Sequence, residues 1–166
     1  MQKLVYENAT ESDLPLIVSI YNQTIPGRMV TADMEPVTVE SRRHLLQKHS
    51  PDKRPLWVVK NETKESVGWV SFQDFYGRPA YSATAEISIY LDAVHHGKGY
   101  GKQVLSDSIN SCPQLGIKNL VGFIFAHNAP SLQLFRSCGF EEWGLLPNIA
   151  ELDGIERSLK ILGRRI

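Results

Sequence analysis

Glu86-Ile87-Ser88-Ile89-Tyr90-Leu91-Asp92-Ala93-Val94-His95-His96-Gly97-Lys98-Gly99-Tyr100-Gly101-Lys102 is the stretch from which the rest of the chain can be read. It begins as a strand. Ala85, Ile87, Ile89 and Leu91 fall on one face, and Glu86, Ser88 and Tyr90 on the other. Glycines 97, 99 and 101 then form a turn, and a helix starts at once. A helix start leaves backbone N–H groups without intrahelical partners and carries a positive partial charge. Glycines let an anion approach the main chain without interference from Cβ. Lys98 and Lys102 add two cations. The combination suits a pyrophosphate. A tight connection with no ligand has the same pattern and stays open at this point. Two other phosphate motifs fail. A P-loop needs a glycine where Asp92 or His96 stands, and the dinucleotide fingerprint needs GxGxxG near a first strand, whereas this is GxGxG in mid-chain.

Working outward, Tyr81 to Leu91, a helix from about Gly99 to Cys112 and Leu120 to Phe125 make a strand-helix-strand passage, which predicts a parallel crossover. Val104, Leu105, Ser108, Ile109 and Cys112 form the buried stripe of that helix. Upstream, Leu56 to Val59 and Ser66 to Phe75 read as strands joined by a turn at Asn61 to Glu65. Leu4 to Tyr6 reads as a first strand. A helix begins near Thr10-Glu11-Ser12-Asp13, carries Leu14, Ile17, Val18, Tyr21 and Ile25 on one face and stops at Pro26-Gly27. A second helix is read from Thr38 to about His49, with Leu45 and Leu46 as core contacts. Downstream, Pro130 to about Ser137 is a short helix capped by Gly139. Phe140 to Leu146 and Ile155 to Leu162 close the chain as strands around Asn148 to Gly154. The order predicts an α/β (mixed α+β) fold whose sheet combines antiparallel hairpins with a parallel step.

The chain has 166 residues, the length of one domain spanning 1–166. Lys plus Arg equals Asp plus Glu at 18 each, so the basic excess of a nucleic-acid binder is missing and no nucleic-acid partner is expected. Cys112 and Cys138 belong to no CxxC pair and have no His at metal-ligand spacing, so they read as two buried small thiols, with a structural disulfide as the alternative, and no metal is expected. Met1 to Tyr6 has no apolar run of signal-peptide or membrane-span length. The expectation is a cytoplasmic protein without a membrane partner.

His96-Gly97-Lys98-Gly99-Tyr100-Gly101 resembles the signature of the GNAT superfamily of N-acetyltransferases, an Arg or Gln followed by xxGxG or xxGxA. Asn128-Ala129-Pro130-Ser131 and the later Leu134-Phe135-Arg136-Ser137-Cys138-Gly139-Phe140 are similar to that family's Asn-xx-Ser and Gly-Phe segments. Ile20-Tyr21-Asn22, Met34-Glu35-Pro36-Val37, Arg78-Pro79-Ala80-Tyr81 and Glu86-Ile87-Ser88-Ile89-Tyr90 look like its phosphinothricin acetyltransferase-like branch, across nearly the whole chain. The resemblance implies a mixed, mostly antiparallel sheet of about seven strands with about four helices. It also implies acetyl-coenzyme A as cosubstrate, a homodimer, and as acceptor the amine of a small amino-acid-like compound such as phosphinothricin, methionine sulfoximine or methionine sulfone.

The same resemblance implies site residues. The pantetheine arm lies in a split between the strands Tyr81–Leu91 and Leu120–Phe125, pairing with the main chain of Ile89 and Leu91, and a backbone N–H near Tyr90 faces the thioester oxygen. The diphosphate rests on His96, Gly97, Lys98, Gly99, Tyr100, Gly101 and Lys102. Asn128 and Ser131 contact the cofactor, and Arg78 and Tyr81 hold the acidic group of the substrate. Asn128 as a plain turn residue and Arg78-Pro79 as an exposed turn remain open. Two positions depart from the pattern. His96 stands where Arg or Gln is usual, and Phe135 stands where a Tyr or His would protonate the leaving thiolate.

From the residues themselves, Glu86 is the candidate base, being the acid in an otherwise neutral strand and sharing a face with Ser88 and Tyr90. Pairing with a surface cation or with the substrate ammonium is the alternative. His95 and His96 read as solvated or phosphate-adjacent, His127 receives no role, and Trp57, Trp69 and Trp143 read as core or subunit-interface residues. Acetylation of a protein N-terminus or another amine, and coenzyme binding without catalysis, are the competing functions.

Overall fold

The computed structural model describes residues 2–166, so Met1, at the head of the N-terminal stretch read above, lies outside it. In chain order the elements are β1 (Val5–Asn8), α1 (Leu14–Gln23), α2 (Val39–Arg42), α3 (Leu45–Lys48), β2 (Leu56–Lys60), β3 (Ser66–Asp74), β4 (Thr84–Leu91), α4 (Tyr100–Ser111), β5 (Asn119–Phe125), α5 (Ala129–Ser137), β6 (Glu141–Leu152) and β7 (Ile155–Arg165). The strands form one seven-stranded sheet in the order β1-β2-β3-β4-β5-β7-β6. Every neighbouring pair is antiparallel except β4 with β5, which are joined in parallel through α4. No helix among the described residues is long and apolar enough to cross a membrane.

The alternation of each strand divides the core. One set of side chains, including Val67, Val70, Phe72, Ala85, Ile87 and Leu120, packs under α4 and α5 against Val104, Leu105, Ile109, Leu132 and Phe135. The opposite face, with Leu56, Val58 and Trp69, packs against Ile17 and Ile20 of α1. Leu45 and Leu46 of α3 are half-buried beside that second cluster. In α4 the stripe Val104, Leu105, Ser108, Ile109 is buried, as is Cys112 just beyond its end.

Several boundaries differ from the sequence reading: α1 stops at Gln23, short of Ile25, and β7 runs on past Leu162 to Arg165. The first strand is shifted to Val5–Asn8 by its pairing with Trp57–Lys60. The helix read from Thr38 to His49 is two short pieces, because the turns around Arg43 and His44 close with tighter i to i+3 bonds (Arg43 N–H to Glu40 O, 3.3 Å; Gln47 N–H to His44 O, 3.1 Å). Tyr81 does not begin a strand. Pro79 opens a tight turn over Pro79–Tyr81, closed by Tyr81 N–H to Arg78 O at 2.9 Å, and β4 starts three residues later. The segment read as a loop from Asn148 to Gly154 is mostly strand. β6 continues to Leu152 across a register break between Leu146 and Ala150, where Pro147 offers no N–H and Asn148 has φ +49°. Only Asp153 (φ +52°) and Gly154 (φ +78°) make the turn, the two positive dihedrals that a tight hairpin requires.

Candidate active site

β4 and β5 stay paired only over Thr84–Glu86 and Asn119–Val121, and then diverge. Bonds to β3 fix which way each β4 residue directs its backbone. Phe75 N–H donates to Thr84 O at 3.4 Å, and Asp92 N–H donates to Val67 O at 3.0 Å. Antiparallel bonding alternates, so Glu86, Ser88 and Tyr90 turn N–H and C=O toward β3. Ile87, Ile89 and Leu91 turn theirs toward the gap left by β5. The donors near Tyr90 that face the gap are therefore those of Ile89 and Leu91, not its own. The gap is a narrow cleft lined by Ile87 to Tyr90, by Gly122 to Ile124, and by Val30, Asn128, Ser131 and Phe135. Phe135 is 6% exposed and packs edge-on against Phe140, with ring centres 4.8 Å apart. It lies so close to β5 that a Cβ on Gly122 would come within 2.6 Å of its ring. Its edge carries no dissociable proton.

The glycine turn stands at the end of β4. Gly97 (φ +73°) and Gly99 (φ +83°) occupy left-handed conformations that suit glycine, and Gly99 is the N-cap of α4. The backbone N–H groups of Gly97, Lys98, Gly99, Tyr100, Gly101 and Lys102 have no acceptor among the described residues. Lys98 and Lys102 are exposed and, among the described residues, form no ion pair. With the positive end of a twelve-residue helix, these groups present donors and charge to one anion. A Cβ on Gly101 would press on Leu134 at 3.3 Å, so its role is also close packing. His96 is tied back to the strand, its Nε2–H donating to Leu91 O at 3.0 Å. His95 packs edge-on against buried Tyr100.

On the opposite face of β4 lies a second cavity of about 200 Å³, walled by Glu86, Ser88 and Tyr90, by Trp69, Ser71 and Gln73 of β3, and by Tyr21, Arg42 and Leu45 from the covering helices. Ser88 and Tyr90 border both cavities, so β4 is their common wall. Glu86 sits at the fork, the last residue of β4 paired with β5. Burial raises its carboxyl above the ordinary carboxylate range, and among the described residues it has no ion-pair partner. Trp69 stacks on Tyr90 with ring centres 4.3 Å apart, so it belongs to the core and to the cavity wall at once. Burial also raises the Tyr90 and Tyr21 hydroxyls, keeping both neutral.

The sequence reading missed Arg42. Its guanidinium lies 5.0 Å above the Tyr21 ring and bonds Asp33 at 2.5 Å, and Tyr21 OH bonds Asp33 and Thr31 in turn. A signal was available, since Arg42 stands three and four residues before Leu45 and Leu46, the side chains read as facing the core. Arg78 and Tyr81 do not border this cavity. The tight turn at Pro79 holds Tyr81, 43% exposed, in an aromatic group with Phe75 and Tyr76.

The β5–α5 corner ties down the segment after α1. Asn128 is 5% exposed. Its Oδ1 accepts from Ser131 N–H at 3.2 Å as the N-cap of α5, and its Nδ2 donates to Met29 O at 3.1 Å. His127 Nε2 donates to Arg28 O at 2.8 Å, and Arg28 Nε reaches Asp153 at 2.8 Å. This brace sets Val30 over the cleft. Cys112 is buried, Cys138 is partly exposed, and both are free thiols.

Residues 3–141 match the Acetyltransferase (GNAT) domain family. The chain is 52% identical to YwnH of Bacillus subtilis (strain 168), named provisionally as a phosphinothricin acetyltransferase, over 95% of this chain and 96% of that one. It is 29% identical to an L-methionine sulfoximine/L-methionine sulfone acetyltransferase of Pseudomonas aeruginosa, over 89% and 86% of the two chains. Among solved structures it is similar to a GNAT superfamily phosphinothricin acetyltransferase from Sinorhizobium meliloti in complex with AcCoA, with a TM-score of 0.89 and 26% identity over 98% of this chain and 88% of that one.

Proposed function

Since this chain belongs to the GNAT acetyltransferase family and is an acetyltransferase, we propose that it moves acetyl from acetyl-coenzyme A to the primary amine of a small, acid-bearing amino acid of the phosphinothricin, methionine sulfoximine or methionine sulfone kind. The observation that carries this reading is the shared wall. β4 separates a cleft on its β5 side, with the unpaired amides of the glycine turn following the end of the strand, from a cavity holding a half-buried carboxyl and a guanidinium.

In this reading the diphosphate sits on the N–H groups of residues 97–102, and Lys98 and Lys102 neutralise it. The pantetheine arm pairs with the free edge of Ile87–Leu91 as an added strand. The amino acid lies in the cavity across β4, its ammonium toward Glu86 and its acid group toward Arg42. Asp33 engages only part of the guanidinium, which leaves N–H donors for a carboxylate. Glu86 takes a proton from the ammonium. Its raised pKa suits this, because a base nearer the working pH gives up its proton again for the next turnover. The freed amine attacks the thioester carbon, and an N–H of Ile89 or Leu91 meets the developing oxyanion, a contribution of about 10² in rate. The thiolate leaves without an acid from Phe135. Thiols ionise near pH ~8.5, so this departure is far less costly than that of an alkoxide.

The continuous sheet from β1 to β7 supports one domain over 1–166. Exposed Trp143, Leu145, Leu146, Ile149 and Ile155 on the β6–β7 arm support a homodimer, and two free thiols suit a reducing cytoplasm.

The test is thiol release from acetyl-coenzyme A over a panel of amines. Acid-bearing amino acids of the named kind are expected as the best acceptors. Arg42→Leu is expected to raise KM for them about 10- to 100-fold, the worth of a charge-assisted bond, with KM for acetyl-coenzyme A unchanged. A best acceptor without an acid group, or no thiol release with any amine, would overturn the reading.

A further inference from the structure

The cavity that holds Glu86 has a second proton-handling group on its floor. Ser71 of β3 is 2% exposed and borders the cavity beside Gln73, the residue opposite Glu86 in the sheet. Behind it stands His49, the C-cap of α3. His49 Nδ1 lies 2.6 Å from Leu45 O, and Nε2 lies 2.9 Å from Ser71 Oγ. A carbonyl oxygen only accepts, so Nδ1 carries the ring proton and Nε2 is bare. The Ser71 hydroxyl must then donate to Nε2, which leaves its lone pairs facing Gln73 Nε2 at 3.4 Å and the cavity. Ser71 is thereby set as an acceptor toward whatever ammonium enters.

Chemistry requires such a group. Converting an ammonium into an amide N–H removes two protons from nitrogen, and one carboxylate holds one at a time. We infer that Ser71 and His49 form a relay that takes one of these two protons, with Glu86 taking the other. The ammonium passes a proton to Ser71 Oγ while Ser71 passes its own to His49 Nε2. The nitrogen keeps its electron pair and forms the N–C bond, and the C–S bond breaks with its pair going to sulfur. After product leaves, the proton returns over Ser71 to water in the emptied cavity, restoring the tautomer. Leu45 O steadies the transient imidazolium.

The surroundings keep the ring neutral at rest. Burial is the main cause that lowers the His49 pKa below the ordinary histidine value, and Lys48 on its own helix adds to it. Across the cavity the charged or titratable groups are Arg42 of α2, Tyr21 of α1, and Glu86 and Tyr90 of β4. On its outer side His49 borders a small cavity formed with Asn8, Ala9, Leu46, Ser50, Pro51 and Leu56, none of them charged.

This inference rests on the acetyl-transfer reading. The test compares the parent with His49→Gln, whose amide can still accept from Ser71 but cannot take a proton, and with Ser71→Ala. The expected loss in kcat/KM for the amine is about 10²-fold. It is confined to the pH window above the His49 pKa and below that of the amine, and it closes on both sides, while KM for acetyl-coenzyme A is unchanged. A uniform loss at every pH would mark a structural role and overturn the relay, as would no loss at all. Should His49→Gln unfold the protein, the pH profile of Ser71→Ala and the nitrogen-15 shifts of the parent His49 ring decide; a proton resting on Nε2 refutes the relay. A parent that acetylates no amine removes the proposed function and the relay together. An active parent with unaltered variants removes the relay alone.

Discussion

Alanine at Gly122 would test whether the Phe135 ring really rests against β5. Gly122 pairs with Leu162 inside the sheet, and its φ is not positive, so the backbone accepts a side chain. Space is the obstacle. A Cβ there would lie 2.6, 3.2 and 3.3 Å from Cε1, Cδ1 and Cζ of Phe135. Carbon pairs settle at roughly 3.5–4.0 Å, so the ring must retreat by about 1 Å. Overpacking of this kind costs about 1–3 kcal/mol. Restricting the unfolded chain at a former glycine returns about 0.4–1 kcal/mol. The midpoints of these ranges leave a net loss of about 1.3 kcal/mol, and at about 2–4 °C per kcal/mol for a chain of this size, Tm falls by roughly 3–5 °C. The ring has β5 behind it and the cleft in front, so it moves into the cleft and KM for acetyl-coenzyme A rises. Thermal unfolding and initial-rate kinetics measure both effects. Adding Phe135→Leu should cost less in the alanine background than in the parent, because the two changes share one contact. Gly122→Ala with parental Tm and KM would refute the packing, and with it the position assigned to the cleft floor.

Glu86→Gln should lower kcat by about 10² at neutral pH, the scale of a lost general base. The same change should raise Tm at pH 7. Burial lifts the folded-state pKa above the unfolded value of about 4.3, so the protonated group favours the fold, and this advantage is lost as pH rises through the folded pKa. The gain from glutamine therefore shrinks as pH falls through the folded pKa and is gone below about pH 4, and retained activity or a lowered Tm would contradict the assignment. Asn128→Ala removes the cap of α5 and the bond to Met29 O, and thermal melts should show a loss of about 1–2 kcal/mol. An unchanged melt would mean that the corner is not braced through this side chain.

How far the sequence speaks depends on how local the cause is. The glycine turn, the alternation in Glu86–Leu91 and the stripe of α4 are fixed by spacing within a few residues, and each could be read directly. The place of Asn128 was visible as a turn residue before Pro130, and its N-cap bond is local too, but its hold on Met29 joins segments 99 residues apart and leaves no local trace. Arg42 reaches the cavity only because α2 folds over β3 and β4, and Ser71 meets His49 only through the same packing. β6 was cut short because Pro147 and Asn148 look like a loop. The partner strand β7 overrides them by resuming its pairing at Ala150. The break in the helix after Arg42 was equally hidden, since Val39 and Leu46, seven residues apart, keep a helical spacing across it.

A crystal structure with bound acetyl-coenzyme A bears most directly on the whole account. It should show diphosphate oxygens bonded to main-chain nitrogens between Gly97 and Lys102, with the arm hydrogen-bonded to the edge of β4 at Ile89 and Leu91. The carrier lodged elsewhere on the protein, with those nitrogens facing only solvent, would contradict it.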